Sequence, residues 1–388
     1  MKKLILSITL FFSAFPMLVF ALNDPATDNL ATNAKSALIM EASTGKIVFE
    51  KNIHERYAPA SMTKMMSLLL IMENIEEGKL SLDEEITTSA HASSMGGSQI
   101  FLQVGEKMSV RDLIRGIAIA SGNDATVALA EKIGGTEEGF VKMMNDKAKA
   151  LGLKNTNFKN AVGLDEENHY SSAYDMAVIA SNLVKYEKIL EYTGTYEGYL
   201  REGTDRKFWL VNTNKLVRFY QGVDGLKTGY TNEAGYCLTA TAKKDNMRLI
   251  TVVMGYPTAN QRNSETSAML DYGFNSYYIE NLISTKTSLG KIELLKGDIQ
   301  NVDIIPLESV NILNKKTDSK RNVDYRIETY KVEAPIKVGD VVGKLKVIEN
   351  DKVINEIDLT VSENVKKANL FKLYYRYLEM ILTGSNLY

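Results

Sequence analysis

Hydrophobic positions along the chain follow two kinds of spacing, and the alternation between them predicts the fold. Short β-prone runs on either side of turn residues predict one hairpin over residues 37–49 and another over residues 235–255. Between them, residues 61–76, 110–120 and 124–133 have helical spacing. The first of these segments is apolar on all sides after its first turn, which is typical of a buried helix. Chain-distant hairpins with a helical region between them predict an α+β fold built on an antiparallel sheet.

The pattern changes after about residue 278. Short alternating runs occupy residues 292–295, 302–305, 325–332 and 345–348, and turn residues separate them. This spacing predicts a separate, small β-sandwich domain.

The last segment, residues 363–388, is predicted to form an amphipathic helix whose basic residues lie away from its apolar face. A helix of this kind can lie in a membrane interface, or it can pack on its own protein. We expect a membrane surface to be its partner, because aromatic residues and an excess of basic side chains favour that interpretation. The apolar face comprises Leu370, Leu373, Tyr374, Tyr377, Leu378 and Ile381, and the basic residues are Lys366, Lys367, Lys372 and Arg376.

The N-terminus has the order of a secretory signal. Lys2 and Lys3 precede an apolar stretch that ends in Val19-Phe20-Ala21, and cleavage is expected after Ala21. An uncleaved anchor helix is the alternative, although the apolar stretch is short for a bilayer span. In either case we expect an exported protein at the outer face of the cytoplasmic membrane, in the cell envelope. The predicted domains are then residues 22–280, 281–362 and 363–388.

Composition narrows the classes of function. The chain has 388 residues, a formal net charge of -2 and a pI near 6.1, so no basic surface for nucleic acid is expected. Its one cysteine, Cys237, excludes an internal disulfide and is interpreted as a buried structural thiol. His54, His91 and His169 are scattered, without the close spacing of a zinc protease. We therefore expect no metal and no cofactor.

Ser61-Met62-Thr63-Lys64 stands at the start of the predicted buried helix. Serine and lysine three positions apart project from one helical face, so the lysine can take the serine proton if its neutral form is favoured. A helix that begins at Ser61 also leaves the Ser61 backbone NH free to stabilise an oxyanion. The pattern is common by chance, and a serine N-cap followed by a surface lysine is the alternative.

Ser121-Gly122-Asn123 lies at the joint between two predicted helices. Ser121 is suited to relay a proton towards a leaving amine, and Asn123 to hold a substrate amide through its donor and its acceptor. Taken alone, the triplet also fits a helix break with an N-cap.

Lys227-Thr228-Gly229 comes shortly before the second hairpin, and we predict it on a strand at the rim of the sheet. A cation beside a hydroxyl can bind a terminal carboxylate, and glycine lets a substrate backbone approach closely. A phosphate-binding loop is disfavoured, because Leu226 separates Gly225 from Lys227 and the glycine spacing of such a loop is missing.

In this order the three motifs match the signature of penicillin-binding proteins and serine β-lactamases, with Gly122 where the signature has aspartate. The sequence resembles the D-alanyl-D-alanine carboxypeptidases of peptidase family S11, which are low-molecular-mass penicillin-binding proteins. The resemblance covers residues 33–274 closely and the tail more loosely. It is carried also by Tyr57–Ser61, Gly96–Ser98, Gly163–Leu164, His169–Ser172, Asp175–Met176, Asn214–Leu216 and Gly222–Gly229.

The resemblance implies roles for individual residues. Ser61 is the expected nucleophile, Lys64 its general base and Ser121 a further catalytic residue. The NH groups of Ser61 and Tyr230 are expected to form the oxyanion hole, and Arg262 to help hold the terminal carboxylate, unless it is a solvated surface arginine. The expected substrate-binding residues are Asn123, Lys227, Thr228, Gly229, Tyr230 and Arg262.

The implied activity is removal of the terminal D-alanine from peptidoglycan stem peptides through an acyl-enzyme on Ser61, with β-lactam antibiotics as inhibitors. A serine β-lactamase is one alternative, but the acidic cluster Asp165-Glu166-Glu167-Asn168 lacks the sequence pattern that surrounds the glutamate of class A enzymes and is interpreted as a solvated loop. A non-catalytic cell-wall-binding protein and a transpeptidase that uses the same acyl-enzyme are the others.

Overall fold

The computed structural model describes Thr27, residues 29–319 and residues 321–383. The predicted signal peptide, residues 1–21, lies outside the described residues. The strands of the first domain are β1 (Ser36–Glu41), β2 (Ile47–Lys51), β3 (Glu85–Thr87), β4 (Lys107–Ser109), β5 (Glu197–Leu200), β6 (Phe208–Val211), β7 (Val223–Thr231), β8 (Gly235–Lys244) and β9 (Met247–Tyr256).

Most helices of this domain lie between β2 and β7, as the sequence predicts. They are α1 (Lys64–Glu76), α2 (Ala90–Ser93), α3 (Val110–Ala120), α4 (Asn123–Gly134), α5 (Glu137–Ala150), α6 (Ala173–Leu183), α7 (Glu187–Thr193) and α8 (Leu216–Phe219), and α9 (Ala259–Ser276) follows the last strand.

The central sheet has the strand order β2-β1-β9-β8-β7, with antiparallel neighbours throughout. Both predicted hairpins are confirmed, as β1-β2 and β8-β9. Ser36 pairs with Met254, so the sheet joins the beginning of the domain to its end. The middle of β9 is buried on both faces, because α1 and α6 cover one side of the sheet and α9 covers the other. Strand β7 is left at one edge.

The helix that carries the serine does not begin at Ser61 as predicted. Ala60–Thr63 form a 3-10 turn, and α1 starts at Lys64. Ala60 has a φ of 47°, outside the α-helical region, so a regular α-helix cannot start at the head of this turn. Residues three apart eclipse each other in a 3-10 turn, which brings Ser61 directly beside Lys64. The predicted burial of the following helix is confirmed from Lys64 to Met72.

The second domain is the predicted small β domain. In the described residues, a five-stranded sheet of order β11-β12-β16-β15-β14 and a two-stranded sheet β10-β13 share a separate hydrophobic core. Their strands are β10 (Tyr277–Ile283), β11 (Lys291–Glu293), β12 (Asn301–Pro306), β13 (Val310–Lys315), β14 (Asp324–Thr329), β15 (Gly343–Glu349) and β16 (Lys352–Val361).

The last described helix is α10 (Leu370–Thr383). It is shorter than the predicted segment 363–388, because residues 363–369, which include Lys366 and Lys367, are not helical, and residues 384–388 lie outside the described residues. Among the described residues, no helix combines the length and the apolar character needed to cross a bilayer.

Candidate active site

The 3-10 turn and α1 bring a serine and a buried lysine into contact. Lys64 Nζ lies 3.0 Å from Ser61 Oγ and donates a hydrogen bond to the carbonyl oxygen of Val162 at 2.8 Å. Lys64 is fully buried. Burial and then the nearby charge of Lys227 hold the pKa of Lys64 well below its usual value, against the opposing charge of Asp124. The lysine is therefore suited to stand neutral and accept the serine proton, and the alternative of a surface lysine is wrong.

A tight turn brings the Val162 carbonyl to this lysine. Asn160 Oδ1 accepts a hydrogen bond from the backbone NH of Gly163 at 2.7 Å and also from that of Val162. Gly163 has a φ of 87°, and a side chain there would place its Cβ 1.9 Å from the carbonyl oxygen of Ala60. Only glycine fits this contact, because the turn lies directly against the backbone that leads into Ser61.

Ser121-Gly122-Asn123 form the predicted joint between α3 and α4. Ser121 ends α3 in the left-handed conformation, with a φ of 65°, and Asn123 opens α4. The backbone NH of Asn123 donates to the carbonyl of Ser98 at 2.7 Å, and its Nδ2 donates to that of Gly96 at 2.6 Å. Among the described residues, the buried Ser121 Oγ and Asn123 Oδ1 have no hydrogen-bond partner. Buried polar atoms of this kind are suited to bind a ligand.

Lys227 and Thr228 lie on β7, so the predicted position at the rim of the sheet is confirmed. Lys227 is buried, and its Nζ donates to the carbonyl of Thr228 at 3.0 Å. Burial and then the charge of Arg262 lower the pKa of Lys227 to about 7. Thr228 Oγ1 donates to Thr213 Oγ1 at 2.7 Å. An anion in this cleft would restore the charged form of Lys227, since an opposite charge favours it.

Gly229 and Tyr230 follow on the same strand. A side chain at Gly229 would place its Cβ 2.8 Å from the carbonyl oxygen of Pro59, so β7 runs against the segment that enters the nucleophile turn. The Tyr230 side chain is half exposed, and its ring lies 4.3 Å from that of Tyr236. The backbone of Tyr230 is thus one residue beyond this contact between β7 and the segment.

Arg262 is buried on α9, and the interpretation as a solvated surface arginine is wrong. Its guanidinium donates to the carbonyl of Cys237 at 3.3 Å and to Asn263 Oδ1 at 2.9 Å. Its positive charge contributes to the lowered pKa of Lys227. The predicted site residues on the nucleophile turn, the α3–α4 joint and β7 are thus described around one cleft, whereas Arg262 bonds to the backbone of the neighbouring strand β8.

Comparison with known proteins identifies this arrangement. The family model described as D-alanyl-D-alanine carboxypeptidase matches residues 23–258, which is more than half of the chain. The chain belongs to the D-alanyl-D-alanine carboxypeptidase family. A second model, the C-terminal domain of penicillin-binding protein 5, matches residues 277–367.

Two curated relatives span nearly the whole chain. D-alanyl-D-alanine carboxypeptidase DacF of Bacillus subtilis (strain 168) is 50% identical over 97% of this chain and 98% of its own length. D-alanyl-D-alanine carboxypeptidase DacA of Haemophilus influenzae is 33% identical over 90% of each chain.

Solved structures agree with the sequence relatives. Penicillin binding protein 5 from Haemophilus influenzae superposes with a TM-score of 0.69 at 33% identity, covering 86% of this chain and 98% of that one. The ampicillin-bound penicillin-binding protein D2 from Listeria monocytogenes covers 63% of this chain and 99% of that one, with a TM-score of 0.57 at 32% identity. The activity of the chain is that of a D-Ala-D-Ala carboxypeptidase of the penicillin-binding-protein class, and the β-lactamase and non-catalytic alternatives are not favoured.

Two supporting residues were not predicted to belong to the site. Buried Asp124 accepts hydrogen bonds from the backbone NH groups of Ile100 and Leu102, at 3.1 and 3.0 Å. It thereby holds the loop that Asn123 also contacts. The sequence feature that could have identified Asp124 as a site residue is its position directly after the Ser121–Asn123 motif.

His169 is the other supporting residue. Its Nε2 lies 2.9 Å from Thr63 Oγ1, and its Nδ1 accepts a hydrogen bond from the backbone NH of Lys159 at 3.1 Å. Spacing along the sequence does not show this contact, because it depends on how the 159–169 segment folds back onto the nucleophile turn.

Two interpretations of neighbouring residues are confirmed. Residues 164–168 are exposed, as expected of a solvated loop. Cys237 is buried, and burial raises the pKa of its thiol to about 11, which fits a structural cysteine.

Proposed function

We propose that Ser61 attacks the carbonyl of the penultimate D-alanine of a peptidoglycan stem peptide while Lys64 takes its proton. The observation that carries this proposal is the buried Lys64 amine, 3.0 Å from Ser61 Oγ and bonded to the Val162 carbonyl. A neutral amine in that position is a general base for a serine hydroxyl. The C–N bond then breaks, terminal D-alanine leaves with the proton, and water hydrolyses the ester to free Ser61.

The terminal carboxylate of the peptide is assigned to Lys227 and Thr228, with Arg262 as a second cation behind them. This assignment rests on the burial of both cations and on the position of Thr228 at the open edge of β7. A carboxylate here would gain charge-assisted hydrogen bonds and restore the proton on Lys227.

The unpaired oxygens of Ser121 and Asn123 are assigned to the peptide amides. Ser121 Oγ relays the proton from Lys64 to the departing amine, and Asn123 Oδ1 accepts an amide NH from the acyl part. The attacked carbonyl is assigned to the backbone NH groups of Ser61 and Tyr230. The close contact between Gly229 and the Pro59 carbonyl supports this oxyanion hole, because it keeps β7 beside the nucleophile turn.

β-Lactams are proposed to acylate the same serine, since the similar penicillin-binding protein D2 from Listeria monocytogenes was solved with ampicillin bound. The test is peptide mapping after treatment with benzylpenicillin, together with D-alanine release from a peptide that ends in D-Ala-D-Ala. A mass increase on the Ser61 peptide is expected in the wild type and in Ser94→Ala, an exposed control. Ser61→Ala should lose both the label and D-alanine release, and labelling that persists in Ser61→Ala would contradict the assignment.

The helix α10 is proposed to rest on the outer face of the cytoplasmic membrane. Lys372 and Arg376 donate hydrogen bonds to the carbonyls of Asp298 and Gly297, so the basic side of the helix faces the β domain. The opposite side is apolar and open to solvent. Its exposed residues are Leu370, Phe371, Tyr374, Tyr375, Leu378, Ile381 and Leu382. Two residues of the expected apolar face, Leu373 and Tyr377, are instead half buried.

Sedimentation with anionic lipid vesicles tests this second part of the proposal. The cut belongs after Asn369, because Val365 is buried in the core of the β domain and earlier removal would damage that core. A chain that ends at Asn369 should release D-alanine normally and remain in the supernatant. Equal sedimentation of the shortened and full chains would overturn the membrane proposal and leave the chemistry untouched.

A further inference from the structure

The face of α1 beside the nucleophile is covered by one segment, residues 159–169, which we call the covering segment. Lys64 donates to the carbonyl of Val162, and Ser67 Oγ donates to that of Ala161 at 2.7 Å. Both contacts use backbone oxygens. His169 provides the side-chain contact at Thr63, between the serine and the lysine, and so joins the covering segment to the nucleophile turn.

The hydrogen bonds determine which nitrogen of His169 carries the proton. The backbone NH of Lys159 donates to Nδ1, so Nδ1 must present a lone pair. The proton of the neutral ring therefore lies on Nε2 and is donated to Thr63 Oγ1 at 2.9 Å. Burial lowers the pKa of His169 to about 4, against the opposing charges of Glu166 and Asp165, which agrees with a neutral ring. The imidazole thus bridges two separate stretches of chain.

The bridge matters because the direction of the Lys64 lone pair depends on the covering segment. A neutral amine has two hydrogens and one lone pair. The Val162 carbonyl takes one hydrogen at 2.8 Å, which leaves the lone pair free to point at Ser61 Oγ. A shift of the carbonyl relative to the 3-10 turn would turn the amine and misdirect the lone pair.

We infer that His169 is a positioning residue for acyl transfer: it holds the Val162 carbonyl and the Ser61–Lys64 turn in fixed relation, so that the Lys64 lone pair stays directed at Ser61. The inference rests on the proposed roles of Ser61 and Lys64. His169 does not touch the substrate in this scheme. Its effect reaches the chemistry through Thr63 on one side and Lys159 on the other.

Substitutions at His169 can break the two halves of the bridge separately. His169→Leu removes both contacts. His169→Asn can keep an acceptor near Nδ1 for the Lys159 NH, and His169→Gln can keep a donor near Nε2 for Thr63. Thr63→Val removes the contact between Thr63 and His169 by changing Thr63 instead of the histidine. His54→Leu is the matched control, since His54 is an exposed histidine whose ring lies against Tyr174.

The measurement is the second-order rate of Ser61 acylation by benzylpenicillin from pH 5 to 10, with thermal unfolding recorded for each variant. For His169→Leu we expect a rate about 10- to 100-fold lower at pH 7, as for a small misplacement of reacting groups. Looser packing admits water to Lys64, which otherwise faces Lys227 on β7 and Asp124 on α4. Its pKa should rise, so the increase in rate with pH should move to higher pH. A purely structural role would lower the unfolding temperature without moving that pH midpoint.

The remaining variants make the outcome decisive. His169→Asn and His169→Gln should each retain part of the rate. Adding Thr63→Val to His169→Leu should cost less than the two separate effects combined, because both substitutions remove the contact between His169 and Thr63. If His169→Leu does not fold, the same comparison is made with His169→Gln and Thr63→Val. Wild-type rate and pH midpoint in folded His169 variants would overturn the inference. Failure to label Ser61 in the wild type would instead overturn the proposed function.

Discussion

The cleft and the C-terminal helix depart from ordinary burial in opposite directions. In and beside the cleft, Lys64, Lys227 and Arg262 are at most 5% exposed, although basic side chains normally stay in water. On α10, Leu370 and Phe371 are 83% and 79% exposed, although large apolar side chains normally cover one another.

Each departure indicates the kind of partner that would relieve it. Within the part of the chain that the structure describes, no carboxylate is bonded to these buried basic groups, so an anionic ligand would stabilise their charged forms, and an open apolar helix face gains most from lipid. Under the proposed function the two regions have separate roles: the first domain binds a peptide with a free carboxylate, and α10 rests on a membrane surface.

The largest effect is expected from Lys64→Met, which keeps the side-chain length and removes the base. Acylation by benzylpenicillin and D-alanine release should both fall about 10²- to 10⁴-fold, as is typical when a general base is lost. Lys79→Met, an exposed lysine beside Glu77, is the control and should be unchanged. Near-normal acylation of Lys64→Met, measured by mass spectrometry against time, would show that the buried amine of Lys64 is not the base.

A smaller effect is expected from Lys227→Met. Removing the carboxylate partner should lower kcat/KM for a D-Ala-D-Ala peptide about 10- to 100-fold, since a hydrogen bond to a charged group contributes about 1.5–3 kcal/mol. A peptide ending in D-alaninamide has no carboxylate and should discriminate little between wild type and variant. Lys243→Met, an exposed lysine on β8, serves as the control. Equal losses of kcat/KM for both peptides would mean that Lys227 does not bind the carboxylate.

For the other region, Phe371→Glu combined with Leu382→Glu should weaken vesicle binding about tenfold or more, because burying one large apolar side chain contributes about 1.5–3 kcal/mol. D-alanine release from a soluble peptide should stay at the wild-type value. Val353→Glu replaces an exposed apolar residue outside α10 and should leave sedimentation unchanged. Vesicle binding that survives the double substitution would assign the apolar face to another partner.

The smallest effect concerns stability against pH. The folded-state pKa of Lys227 is about 7, and that of Lys64 is also depressed, so between pH 7 and pH 9 the unfolded chain binds more protons than the folded one. The free energy of unfolding should therefore rise with pH in this window, by at most about 1.4 kcal/mol per pH unit for each lysine. Urea unfolding at several pH values measures the slope, which should flatten in Lys227→Met. A slope identical to wild type would mean that Lys227 is charged in the empty cleft.

Much of the fold and the site could be predicted from local sequence. Alternating and helical spacing identified the hairpins β1-β2 and β8-β9 and the buried α1, because side-chain periodicity reports directly on which faces are covered. The position of Lys227 at the edge of the sheet followed from its place before the second hairpin.

Contacts between distant segments could not be predicted in this way. The burial of Arg262 depends on α9 packing across β8, and the 3-10 turn at Ser61 depends on Gly163, more than 100 positions later. A hydrogen bond such as that of His169 to Thr63 leaves no periodic signal, since it joins single atoms of two irregular stretches.

The pairing of β1 with β9 has a consequence for how the enzyme folds after synthesis. Ser36 meets Met254 in the sheet, so the nucleophile is made early in synthesis while the strand that completes its surroundings is made much later. Long sequence separation between contacting residues slows folding, because the entropy cost of closing the loop comes before the stabilising contacts form. A nascent or truncated chain that stops before residue 254 holds the serine without the finished cleft, so activity arises in one late step rather than growing with chain length.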